Sequence, residues 1–485
     1  MKDKGLTNKV ISGMKWKAFE RLFLQLVNAA TPMVLARILM PDDFGIVAIL
    51  TVFITIASTF VNNGITNSLI QKKDSDILDS STVFYTQLVI SIICYCVLFV
   101  LAPYISYYYQ NQELTLMLRV MSLSLVIGSF GSIQITNMKK NMDFSKSFVI
   151  NGVATIVYGV VGIGMAYSGY GVWSLVVAKL ANSISLSLTS ILVIRWKPIF
   201  AFSFTRLKSL FSYSWKLSVG WIIGTVHQDI YTLIIGKYFN TVTLGYYNRA
   251  GSFPHIITKT VTEVVDGVMF PALSKIQDDR RKLKEVTRNL LSVNSFVLFP
   301  VFLGLAAVSK NLVLLILTEK WLPSVPMMQI ICITYSLNSL NNSNMQVFNS
   351  MGRSDIFMKF ELIKRTVSVI LLLIFAHISI FAVISVLLLM AISSNLMNAY
   401  QNNKLLGYKF SQIFSDVFPS FVMALIMAVV VWCIGLIKLP LMAILTIQVV
   451  CGVAVYGLLA MIFKTKASKL LITIAKEKLL SKKSR

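Results

Sequence analysis

Apolar stretches of about twenty residues recur from one end of this chain to the other, and a chain built that way has few places to fold. Crossing ~30 Å of hydrocarbon at ~1.5 Å of helix rise per residue takes ~20 residues. With 56% hydrophobic and 13% charged residues, a soluble domain could not keep so much apolar surface from water, because its own surface must be largely polar. The reading is an all-α integral membrane protein whose membrane core is the protein itself.

Apolar windows and their breaks place fourteen transmembrane helices, at 16–38, 44–66, 83–105, 114–138, 147–167, 171–194, 212–236, 244–271, 289–309, 323–350, 360–377, 379–401, 413–435 and 440–463. The eighth and tenth are polar enough for a simple hydropathy window to pass over them. The distribution of Lys and Arg tests the count. With the N-terminus inside, the inner turns collect Lys72, Lys73, Lys139, Lys140, Arg206 and Lys208, the run from Lys275 to Arg288, and the tail beyond Lys464. The outer turns hold Arg37, Lys237, Lys310, Lys320 and Lys438. The ratio, roughly 34 to 5, is the asymmetry that the positive-inside rule predicts for two cytoplasmic termini and an even number of spans. The net charge of +25 therefore reports topology and headgroup contact, and no nucleic-acid partner is expected.

The lysine-rich segment from Met1 to Lys17 has no small-residue cleavage site and reads as a retained cytoplasmic end. The tail LLITIAKEKLLSKKSR reads either as an amphipathic segment on the inner leaflet or as a solvated end. The five cysteines fall inside apolar segments as small hydrophobic filler, so neither a metal nor a cofactor is expected. The connections, the longest near 195–211 and 275–288, are too short for a catalytic domain. The chain reads as a transporter rather than an enzyme.

Two stretches some 200 residues apart read alike. Trp16-Lys17, Ala36-Arg37-Ile38-Leu39 and Phe44-Gly45-Ile46 are echoed by Trp215-Lys216, Gly236-Lys237-Tyr238-Phe239 and Leu244-Gly245-Tyr246. The expected organisation is a cytoplasmic N-terminus (1–15), an N-lobe of six helices (16–194), a cytoplasmic linker (195–211), a C-lobe of six (212–401), two further helices (413–463) and a basic cytoplasmic tail (464–485). Two pseudo-symmetric lobes of like orientation enclose a central cavity, and rocking them gives alternating access.

Ionisable groups at membrane depth are costly and usually face such a cavity. The first span carries Lys17, Arg21, Gln25 and Asn28 on one helical face, and the seventh carries Lys216, Gly220, Gly224 and His227. Arg249, Ser252, His255, Lys259, Glu263 and Asp266 form one stripe on the eighth span, and the tenth adds Asn338, Asn341, Asn342 and Asn344. Other roles stay open for single residues. Arg21 could pair with Glu20 or snorkel, Lys216 could anchor to headgroups, and Lys259 with Glu263 could be a neutralising i,i+4 pair. His227 and His255 could titrate near neutral pH. Lys179 and Arg119 lie on no stripe and receive no role. A basic lining with amides and hydroxyls suits pyrophosphate oxygens plus sugar hydroxyls.

The runs SYSWKLSVGWIIGTVHQDIYTLIIGKYFNTVTLGYYNRAGSFP (212–254), FPALSKIQDD (270–279) and NSMGRSD (349–355) resemble Wzx-type oligosaccharide flippases, specifically the colanic-acid-exporter branch of the multidrug/oligosaccharidyl-lipid/polysaccharide superfamily. The resemblance covers about 15–410. It implies fourteen helices, and a cargo of polyprenyl-pyrophosphate-linked oligosaccharide moved across the cytoplasmic membrane of a bacterium. It also implies a cationic cavity that falls here on Arg21, Lys216, Arg249 and Lys259. A coupling ion, H+ or Na+, is left open. The competing reading is a cation-coupled drug antiporter on the same scaffold, which would favour acids over the bases that dominate these stripes.

Overall fold

In the computed structural model many polar side chains are buried between helices while many large apolar ones are exposed, unlike a soluble domain. The structure describes residues 21, 23–62, 65–72, 74–141, 143–276 and 278–471, without the side chains of 65, 144, 213, 216, 217, 260–272, 274, 346, 349 and 354–357. Every regular element among the described residues is helical: α1 (Phe23–Ile38), α2 (Pro41–Asn62), α3 (Ile65–Gln71), α4 (Ile77–Tyr109), α5 (Glu113–Lys140), α6 (Phe144–Tyr167), α7 (Trp173–Ile194), α8 (Phe204–Tyr238), α9 (Thr241–Ser274), α10 (Arg280–Ile316), α11 (Ser324–Ser350), α12 (Ser354–Phe375), α13 (Ile380–Leu406), α14 (Phe410–Ile434) and α15 (Leu441–Phe463). Nine helices among the described residues are long and apolar enough to cross a bilayer. The more polar α9 and α11 are not among them, as their sequences foretell. The chain forms two compact units, 1–245 and 246–485.

In the first unit, α4 shows the inversion most clearly. Val89, Ile93, Val97 and Val100 are exposed along one side, whereas Ser81, Thr82, Gln87 and Ser91 are buried on the other. Hydrocarbon accepts the outward side, and the inward polar groups must then bond to one another. Gln87 does so fully: its amide donates to the Val61 carbonyl (3.3 Å) and the Thr66 hydroxyl (2.8 Å), and its carbonyl accepts from Ser132 (2.6 Å). One side chain thereby ties α2, α3, α4 and α5. Small residues bring α5 and α7 together; Ser187 donates to the Ile127 carbonyl at 2.7 Å beside Gly131. Helix ends are capped by sequence. Asp76 and Asp79 form a reciprocal capping box at the start of α4.

The second unit centres on α10, a 37-residue helix capped by Asp279, which accepts from Arg281 and Lys282. Phe299, Leu303, Met423, Met427 and Val431 form its apolar core. Polar pairs lock the helices laterally. Gln448 on α15 accepts from Asn311 on α10 (3.1 Å) and donates to the Val431 carbonyl of α14 (2.9 Å). Asp416 on α14 receives Arg288 of α10 through two bonds, 2.7 and 2.9 Å, and the Tyr408 hydroxyl at 2.8 Å.

Candidate functional site

A cavity of about 430 Å³ opens among α2, α3, α5 and α7 of the first unit. Helical periodicity builds it. Thr51, Thr55, Ser58 and Asn62 follow one face of α2; Ser124, Gly128, Ser132 and Thr136 follow one face of α5 and end at Lys139. Lys179, Ser183 and Leu186 face it from α7. Hydroxyls and amides dominate the lining, two lysines supply its charge, and no carboxylate lines it among the described residues. Such a surface can hydrogen-bond a polyol and balance an anion.

At the end of α2 that the charge pattern places outside, the repeat becomes physical contact. A Cβ on Gly45 of α2 would lie 1.8 Å from the Thr241 carbonyl oxygen, and a Cβ on Gly245 of α9 would lie 1.9 Å from that of Pro41. Each helix thus sets its opening carbonyl into a notch that only glycine leaves in the other. The Thr241 hydroxyl donates to Asp42. Beside this clasp, Lys237 of α8 donates to the Tyr108 carbonyl of α4 at 2.6 Å and stands 4.0 Å over the Tyr108 ring. The Tyr109 hydroxyl donates to the Leu233 carbonyl (3.3 Å).

The opposite end carries an ionic cluster. Arg206, entering α8, pairs with Asp76 and, at 3.2 Å, with the buried Asp79, which also holds Lys72 at 2.6 Å. The Arg206 guanidinium beside Asp76 holds its carboxyl well below the usual range, at about 2. Lys140, ending α5, donates to the Lys72 carbonyl (2.8 Å) and to Ser75.

The residues selected from sequence fall in several settings. Arg21 and Asn28 are exposed and Gln25 is half-buried on the helix leading into α2. Lys216 on α8 and Glu263 and Asp266 on α9 have side chains outside the described set, and Lys17 lies outside it altogether. His227 is half-buried on α8, where Gly220 faces open space. Arg249 is half-buried in the second unit, its guanidinium 6.0 Å over the ring of the fully buried Trp321, against which Tyr246 also packs. Ser252 spends its hydroxyl on the Arg249 carbonyl (2.8 Å); His255 and Lys259 are exposed further along α9. On α11, Asn338 and Asn342 are half-buried, whereas Asn341 is buried and accepts from Asn398 of α13. Asn344 likewise accepts from Asn402 at 2.6 Å.

Lys179 carries a position that charge stripes on single helices did not reveal. It lines the same cavity as hydroxyls on two other helices, and the signal available was the Ser/Thr spacing on α2 and α5. Arg119, also without a stripe, is accounted for by packing: it donates to the Phe99 carbonyl at 3.3 Å and sits 4.0 Å over that ring.

Residues 34–326 match the family described as polysaccharide biosynthesis protein. The chain belongs to that family. Among curated relatives, the lipopolysaccharide biosynthesis protein WzxC of Escherichia coli K12 is 28% identical over 365 residues, 74% of this chain and 73% of its own. The teichuronic acid biosynthesis protein TuaB of Bacillus subtilis is 24% identical over 356 residues, 72% of this chain and 73% of its own. Among solved structures, the lipid II flippase MurJ in an inward closed conformation matches with a TM-score of 0.75 at 15% identity, covering 93% of this chain and 98% of its own. An inward-facing multidrug resistance MATE transporter of the MOP superfamily matches with a TM-score of 0.62 at 13% identity, over 79% of this chain and 95% of its own. This polysaccharide biosynthesis protein is thus a multi-pass membrane protein with a transporter fold.

Proposed function

We propose that this protein is a flippase that moves polyprenyl-pyrophosphate-linked oligosaccharide repeat units across the cytoplasmic membrane of a bacterium, for assembly of a surface polysaccharide. The observation that carries the reading is a cation-bearing, hydroxyl-lined cavity at membrane depth in a member of the polysaccharide biosynthesis family. An enzyme of glycan assembly would need a catalytic carboxylate at such a surface, and a carrier of cationic drugs would need counter-charge; the cavity offers ammonium groups instead.

In this reading the fourteen helical stretches are fourteen spans, in two six-helix lobes around a central cavity with α14 and α15 appended, and both termini are cytoplasmic. Arg21, Lys216, Arg249 and Lys259 meet the pyrophosphate, and Gln25, Asn28, His227, Ser252, His255, Glu263, Asn338, Asn341 and Asn342 complete the polar lining. Alternating access opens the clasp of α2 and α9 in the outward state, and H+ or Na+ coupling remains part of the proposal. The test is outer-leaflet display of lipid-linked oligosaccharide in cells lacking their own flippase. The wild type restores display, and Arg249→Ala at equal expression reduces it at least tenfold. Unchanged display in the Arg21, Lys216 and Arg249 variants would overturn the assignment of these cations.

A further inference from the structure

Lys179 is the one ionisable side chain on α7, and six residues after Trp173 it stands ~9 Å along the helix at ~1.5 Å per residue. A charge at that depth is tolerated where it meets water or a counter-charge. It faces the first unit's cavity, where the lining supplies hydroxyls and a second lysine but no carboxylate among the described residues. At about 430 Å³ the space lies within the ~300–1,000 Å³ range of small-molecule sites.

We infer that this cavity is a recognition subsite for a sugar bearing a single carboxylate, such as a uronic acid of the glycan cargo, with the Lys179 ammonium as its carboxylate contact. The inference rests on the flippase reading and names the sugar class which that reading leaves open. One ammonium on α7 matches one carboxylate. The flanking Thr55, Ser58, Ser132 and Ser183 offer hydroxyls that donate and accept, which is what ring hydroxyls require. A pyrophosphate would call for the clustered, forked cations that this lining lacks. Lys139, at the end of α5, adds a second positive charge to the lining.

The structure also supplies a plug. Gly128 lines the cavity, and a Cβ there would meet nothing within 4 Å. Gly128→Leu therefore enters the space from a position where the added Cβ meets no neighbour.

The test is equilibrium binding of radiolabelled methyl β-D-glucuronide to the purified full-length protein in lipid nanodiscs, with methyl β-D-glucoside and inorganic pyrophosphate as competitors. Wild type binds the glucuronide, and neither competitor displaces it at equal concentration. Lys179→Met weakens binding at least tenfold, Lys179→Arg recovers part of it, and Gly128→Leu abolishes it with an unchanged unfolding temperature. Binding that survives Lys179→Met or Gly128→Leu overturns the subsite, as does displacement by glucoside or pyrophosphate. The measurement needs no transport, so the two readings fail separately. Lys179-dependent binding without oligosaccharide display sinks the flippase reading alone, and display without such binding sinks the subsite alone.

Discussion

Gly45 and Gly245 each seat the opening carbonyl of the other's helix, Thr241 against the first and Pro41 against the second, at places where an added Cβ would come within 1.8 and 1.9 Å of the oxygen. The two glycines lie 200 positions apart in the sequence, and so do the two residues whose carbonyls they receive. The clasp is therefore a local two-fold device: α2 and α9 approach backbone to backbone, and neither glycine can change alone without parting both helices.

Gly45→Ala should open this end. Overpacking of a close backbone contact costs about 1–3 kcal/mol, and about 2 kcal/mol moves a closed-to-open ratio roughly 30-fold. A cysteine placed at Thr241 in a cysteine-free background should then react several-fold faster with a membrane-impermeant maleimide added outside, and Gly245→Ala should behave alike. Equal labelling rates in the glycine and alanine proteins would show that the contact gates nothing.

The cluster at the other end should respond to acid in one direction. Asp76 is held down from 3.8 to about 2, first by its hydrogen bond with Arg206 and then by the Asp79 backbone N–H. A depressed carboxyl stabilises the fold above its unfolded pKa and loses that contribution as pH falls through the folded one. Arg206→Gln should therefore lower the unfolding temperature by a constant margin from about pH 8 to about 5, and the margin should close between about pH 4 and 2. The Asp76 pair is exposed, so salt should narrow its share of the margin. A margin that persists at about pH 2 would assign the effect to packing.

At the start of α14, Asp416 is nearly inaccessible and takes both Arg288 and Tyr408. Removing one partner of a buried pair strands the other, at about 3–5 kcal/mol when burial is complete. The Arg288 side chain keeps 29% exposure, so Asp416→Ala should cost about 2–3 kcal/mol after that discount. Tyr408→Phe removes one hydrogen bond and should cost about 1 kcal/mol. Differential scanning fluorimetry in detergent reads both, and an Asp416→Ala effect no larger than that of Tyr408→Phe would remove the ion pair from the account.

Much of the fold could be read from the chain because bilayer thickness sets a length that apolar runs display directly. The described part of each stretch overlaps a helix, nine of the helices among the described residues being long and apolar enough to cross a bilayer, but the helix ends differ where the helix outlasts the hydrocarbon. α10 begins at Arg280 rather than near 289, since Asp279 caps a basic first turn that hydropathy cannot register. α4 begins at Ile77 rather than 83 for the same reason, through the capping box of Asp76 and Asp79. The site was less legible. The landmarks Gly45 and Gly245 were visible as repeats, yet a glycine's purpose depends on what stands opposite it. Lys179 draws its meaning from hydroxyls on α2 and α5, which no single-helix stripe assembles.

Asn341 and Asn344 pose the same problem from the other side, because a polar helix face reads alike whether it meets water or a neighbour's amides. Asn341 accepts from Asn398, and Asn344 accepts from Asn402 at 2.6 Å. Inter-helix bonds of this kind contribute about 0.6 kcal/mol on average in membranes and at most about 1.7. A double-mutant cycle of Asn341→Ala and Asn398→Ala should therefore give a coupling of about 0.5–1.5 kcal/mol in unfolding free energy. If stability is the pair's main work, the two single variants should lose similar amounts of stability. Asn398→Ala should then reduce display only as far as the protein level falls. A coupling near zero, with display lost in Asn341→Ala at normal protein level, would instead put the Asn341 amide in contact with cargo.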